Sequence, residues 1–215
     1  MKRTFLTLFG IAVAVVTMAN GQFEKAMGQN IPAVFSSKSA DDLQGVINTL
    51  SRIGAAEEDR WEPYYYSAYG YLKMSGFFEA TVERDKHLSL AIAEVDKGLE
   101  IDPSNSELVA LKGYIIMLQL SVDPASRGMT HSGMAFEQFN KAIKLNPNNP
   151  RAHFLLGRMQ QGTAQFMGSG FEQACESLAT AKAIFEKGES SDNPFAPTWG
   201  EESANASIKE ICGGE

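Results

Sequence analysis

Small and apolar residues recur along this chain at spacings of three and four, and one arrangement comes round twice. Ala91, Val95 and Gly98 are followed by Pro103. Ala135, Phe139 and Ala142 are followed by Pro147, 44 residues further on. The neighbouring letters agree too, DKGLEIDPSN at 96–105 beside NKAIKLNPNN at 140–149. A third copy starts with Ala174, Leu178 and Ala181, with Glu186 where the proline would fall. Such spacing puts these residues on one face of a helix. Small residues there let a neighbouring helix come close. The prolines stop one helix or start the next. Asn149-Pro150 reads as an N-cap followed by proline at the first helical position.

Each of these helices is expected to have a partner just before it. Tyr64, Ala68 and Tyr71 fit the first, Val109, Gly113 and Ile116 the second, and His153, Gly157 and Gln160 the third. A small residue holds the middle slot each time, as a tight helix crossing requires. A larger side chain there costs roughly 1–3 kcal/mol by overpacking.

This pattern resembles the tetratricopeptide repeat (TPR) family over residues 62–186, most closely in FEQFNKAIKLNPNNPRAHFLLG. Lys112 and Gln160 depart from it at normally apolar slots, and Glu186 replaces proline. The layout is also similar to exported bacterial TPR proteins of unassigned function. The family period is about 34 residues, so each repeat here carries an insertion. These insertions, Gly76–Asp85, Ser121–Gly133 and Gly162–Gly170, are expected as loops on one edge and offer a rival binding surface. The implied fold is an all-α, right-handed αα-solenoid of about three lengthened TPR units over 41–215. Its parts are a half-repeat at 41–60, repeats at 61–104, 105–148 and 149–188, and a loop with a capping helix at 189–215. Leu43, Ile47 and Leu50 mark the half-repeat, and Ala204, Ile208 and Ile211 the cap. Solenoids need such caps because each end exposes an apolar face. Residues 22–40 show no clear periodicity and are read as a flexible segment.

Residues 1–21 read as a signal peptide. Lys2 and Arg3 precede an apolar run from Phe5 to Val16, and Ala19 and Gly21 fit cleavage before Gln22. The run is shorter than the roughly 20 residues of a spanning helix. An uncleaved anchor is the alternative. The expected location is therefore periplasmic or secreted, with no stable membrane insertion after cleavage. Cleavage removes two cations and no acid, so the net charge of −7 becomes −9. A chain this acidic is not expected to bind nucleic acid. At 44% hydrophobic and 21% charged residues it is otherwise of ordinary globular composition.

No catalytic, cofactor or metal constellation stands out, so no enzyme is expected. His87, His131 and His153 fall on separate repeats without ligand spacing. No serine lies in G-x-S-x-G. Gly168-Ser169-Gly170 reads as a turn and lacks the lysine of a phosphate-binding loop.

The resemblance adds two expectations. Cys175 takes the slot held by Ile92 and Phe136 in the other copies, which in the family faces the next helix along the stack. Here that helix is the cap, which carries Cys212. The two cysteines are thus placed to form a disulfide, the alternative being two separate buried thiols. The family's first helices line a concave groove, and the groove positions include Tyr65, Tyr69, Tyr114, Arg151, Phe154 and Arg158. Aromatic residues and arginine are favoured interface anchors. The alternative is that the run Tyr64–Tyr66 packs against the cap helix and its insert. The expected function is a non-catalytic adaptor of the bacterial cell envelope that binds another protein or an extended peptide. A small-molecule or glycan-binding accessory protein is the second reading, and it anticipates a deep apolar pocket.

Overall fold

The computed structural model describes residues 21–188 and 191–213. The expected signal peptide lies outside these residues, Gly21 apart. The described residues form helices joined by short turns, with no strand among them. They are α1 (21–36), α2 (Ala40–Ala56), α3 (Glu62–Ser75), α4 (Thr81–Ile101), α5 (Ser106–Val122), α6 (Pro124–Leu145), α7 (Pro150–Met167), α8 (Glu172–Lys187) and α9 (Glu201–Ile211). The pairs α3–α4, α5–α6 and α7–α8 are the three repeats, α2 is the half-repeat and α9 the cap.

The repeated letters between helices have one local chemistry. Asp102 and Asn146 end α4 and α6, their backbone N–H groups donating to Gly98 and Ala142 carbonyls. Each side chain then accepts from the N–H two residues on, at 3.2 Å from Ser104 and 3.0 Å from Asn148. Asn105 and Asn149 cap the following helices, accepting from Leu108 and Ala152 N–H at 3.0 Å. A side-chain turn followed by an Asn cap leaves few orphan backbone groups where one repeat meets the next.

The small slots hold as expected. A Cβ on Gly113 would sit 2.6 Å from the Phe139 ring, and one on Gly157 would sit 2.8 Å from Leu178 and 3.1 Å from the Ala174 carbonyl. Gly98 is closed in the same way by Leu108 across α4–α5. The two larger buried clusters lie around α1–α5 and α5–α9, bridged by half-buried Ile92, Leu99 and Tyr114, and a small third joins Leu43 and Ile47 of α2 to Met74 of α3.

Two expectations are corrected. The segment 22–40 is not flexible but helical over 21–36. Phe23, Met27 and Val34 are buried, with Ile31 packed against the same cluster, which is helical spacing. Lys73 Nζ closes the end of this helix, donating to the carbonyls of Val34, Phe35 and Ser37. So α1 shares its core with α2 and α3. The insertions are also not projecting loops, because most of their residues lengthen helices. Only Asp123 separates α5 from α6; it accepts from Ser126 N–H, and Pro124 takes the first helical position. Arg127 pins the extension, its two terminal nitrogens donating to the Asp85 carboxylate at 2.6 and 2.7 Å.

At the far end Cys175 on α8 and Cys212 after α9 form a disulfide with Cα atoms 5.6 Å apart. With buried Ala204 and Ser207, it ties the cap onto the last repeat. No helix among the described residues is long and apolar enough to cross a membrane.

Candidate binding surface

The first helices of the repeats, α3, α5 and α7, stand side by side with equivalent slots in register. Glu62, Glu107 and Arg151 form one row, Tyr65, Ala110 and Phe154 the next, then Tyr69, Tyr114 and Arg158. The loop before α9 lies across the first two rows. Trp199 Nε1 donates to Tyr65 Oη at 2.9 Å, and Tyr66 Oη donates to the Phe195 carbonyl at 3.1 Å. Asn193 Nδ2 donates to Glu62 Oε1 at 2.9 Å. Arg151 forks onto the Glu107 carboxylate at 2.7 and 2.9 Å and gives a third bond to the Trp199 carbonyl.

The six residues expected to line a groove therefore divide. Tyr65, Arg151 and Phe154 are buried. Tyr65 and Arg151 hold the loop in place through the bonds above. Tyr69 and Tyr114 stay half-buried, and the Arg158 side chain is 42% exposed. These three share one row.

Two residues outside the repeats complete an aromatic strip along that row. Phe35, at the end of α1, lies 5.1 Å from Tyr69 between ring centroids. Trp199 lies 5.3 Å from Tyr69 and 6.0 Å from Tyr114. All four rings keep part of their surface open. Burial raises the pKa of Tyr69 and of Tyr114 above the ordinary phenol value, so both are neutral near pH 7. The strip thus offers apolar ring faces with hydroxyl donors. At Tyr114 the nearby positive charge of Arg158 works against this rise. Sequence reasoning misses Phe35 because its segment carries only a short apolar stripe and lies outside the repeats. It misses Trp199 because no repeat slot predicts where a loop residue docks. A tryptophan in an otherwise polar loop is the available signal.

Two cavities border the loop, about 490 Å³ beside Trp61, Glu62 and Phe195, and about 360 Å³ beside Glu107, Arg151 and Pro197. The first is lined mainly by polar groups and the second by polar and apolar groups in similar measure, so neither is the deep apolar pocket anticipated for a small ligand. The apolar feature of this face is the open strip. The histidines lie elsewhere. His87 stacks on Phe78 in the α3–α4 layer, His131 is on α6, and His153 Nε2 sits 3.0 Å from the Pro147 carbonyl. No cluster of three or more His, Cys, Asp or Glu suited to a metal ion occurs among the described residues.

No protein-family model and no curated protein matches this sequence. Among solved structures, the HusA haemophore from Porphyromonas gingivalis is similar with a TM-score of 0.76 and 26% identity, covering 87% of this chain and 92% of that one. TTC0263, a thermophilic TPR protein in Thermus thermophilus, is similar with a TM-score of 0.55 and 14% identity over 82% and 90% of the two chains. With the repeat geometry above, these likenesses show that the chain has the TPR-type αα-solenoid fold.

Proposed function

We propose that this is an exported, non-catalytic binding protein that holds a flat, conjugated ligand of the haem type on the strip Phe35–Tyr69–Trp199–Tyr114. The observation that carries the reading is the strip itself: four aromatic rings in sequence, neighbouring centroids 5.1–6.0 Å apart, each residue partly exposed. A flat conjugated ligand laid on such rings gains apolar burial and ring stacking, each ring pair adding about 0.5–1.5 kcal/mol beyond area. The likeness to a haemophore across almost the whole chain supports the same ligand class. The disulfide fits an oxidising compartment outside the cytosol. The loop before α9 covers Tyr65 and Arg151 and so leaves an extended peptide less of this face, and since neither cavity is the deep apolar pocket anticipated for a small ligand, the ligand would rest on the open strip instead.

The test is titration of the mature protein with haem, followed by absorbance and by quenching of its two tryptophans. Saturable binding is expected, weakened at least tenfold in a Tyr69→Ala, Tyr114→Ala variant that remains helical by circular dichroism. Unchanged binding by that variant removes the strip from the reading. Absence of any binding returns the protein-adaptor reading to first place.

A further inference from the structure

We propose that Arg158 is the specificity residue of this surface and that it selects ligands carrying a carboxylate at one edge. This rests on the flat-ligand reading above and adds to it the chemical class the site prefers. Arg158 follows Tyr69 and Tyr114 in register, one helix per step. Packed helices lie about 8–10 Å apart. A planar ligand resting on Tyr69, Tyr114 and Trp199 therefore brings its α7-side edge to the guanidinium.

The guanidinium is there to be used. Arg151, two turns earlier on α7, spends its fork on Glu107 and is 1% exposed. Arg127 spends its fork on Asp85. Lys73, near the Phe35 end of the strip, is committed to three backbone carbonyls. Among the described residues Arg158 makes only one-armed, long contacts, with Nη1 3.3 Å from Ser207 Oγ and 3.9 Å from Glu210 Oε2. Glu210 is itself 60% exposed, and an exposed pair at that distance holds Arg158 weakly. A ligand carboxylate can take the bidentate geometry that Glu210 does not, and its ring part shields the pair from water. Arg158 is close enough to Tyr114 for its positive charge to oppose the burial-driven rise of the phenol pKa.

The test compares two probes with one ring system: protoporphyrin IX, which carries two carboxylates, and its dimethyl ester, which carries none. Both are titrated in the same dilute non-ionic detergent against wild type, Arg158→Gln and Glu210→Gln. Wild type is expected to prefer the acid by about tenfold, the scale of one charge-assisted pair. Arg158→Gln is expected to erase that preference by weakening the acid alone. Glu210→Gln, which removes the competitor, is expected to tighten the acid several-fold and leave the ester unchanged. Equal affinity of wild type for acid and ester overturns the assignment. So does an equal loss for both probes in Arg158→Gln, since Arg158 is then only a wall of the site. Failure of wild type to bind either probe overturns the flat-ligand reading, and the Arg158 assignment with it.

Discussion

Trp199 gives its indole N–H to the Tyr65 hydroxyl, joining residues 134 apart in the chain at 2.9 Å. Tyr65 is fully buried, so its hydroxyl is satisfied by the loop rather than by solvent. Removing one partner of a buried hydrogen bond costs about 1–3 kcal/mol, while removing both is close to neutral. Trp199→Phe is therefore expected to destabilise the protein by that amount. The second change Tyr65→Phe in the same background should recover part of it. Urea unfolding of the wild type, both single variants and the double variant gives the coupling energy. A coupling near zero would mean that ring packing alone seats the loop.

The glycines give a prediction with opposite signs at two kinds of position. Gly157→Ala places a methyl 2.8 Å from Leu178 and 3.1 Å from a backbone carbonyl, so helices α7 and α8 must part. The expected loss is about 1–3 kcal/mol. Gly133 lies inside α6 with nothing within 4 Å of a new Cβ. Gly133→Ala should stabilise by about 0.5–1 kcal/mol through helix propensity alone. Chemical denaturation midpoints of the two variants should move in opposite directions.

The repeats are legible because a crossing slot tolerates only a small residue, so Gly113 and Gly157 announce their partners from sequence alone. The lengthened helices are less so. Gly128 and Gly133 give the start of α6 the composition of a loop, yet a glycine costs a helix only about 1 kcal/mol and Asp123-Pro124 starts one cleanly. The helix α1 escapes notice although Phe23, Met27, Ile31 and Val34 have helical spacing, because they form a short stripe next to a segment that reads as an export signal. Of the strip, Tyr69, Tyr114 and Arg158 follow from register. Phe35 and Trp199 come from outside the repeats, and only packing across the chain brings them there.

Asp85 and Arg127 give the lengthened edge a pH dependence. Hydrogen bonding to Arg127 holds the Asp85 carboxyl below the usual carboxylate range. A lowered folded pKa stabilises above the unfolded value of about 3.9, and that contribution is lost as pH falls through the folded value. The pair is about a quarter exposed on each side, so its worth is under about 1 kcal/mol. Asp85→Asn should lose that much at neutral pH and match wild type once the pH is well below 4. A gap between the two that persists in acid would mean that the cost of Asp85→Asn is steric rather than ionic.

The disulfide closes the last part of the stack, and its effect should be local as well as global. Cys175 and Cys212 are 37 residues apart, and closing a loop of that length in the unfolded chain contributes roughly 3–4 kcal/mol. The loop contains Trp199 and the whole of α9, whose Ser207 and Glu210 touch Arg158. Cys175→Ser with Cys212→Ser should therefore lower the urea midpoint and release α9 before the repeats. Hydrogen exchange should then rise first at Ala204–Ile211 and at the segment carrying Trp199, while α3–α6 keep their protection. Uniform loss of protection along the chain would show instead that the cap is needed for the whole solenoid to stand, as expected if its apolar end at Phe185 and Leu178 cannot face water uncovered.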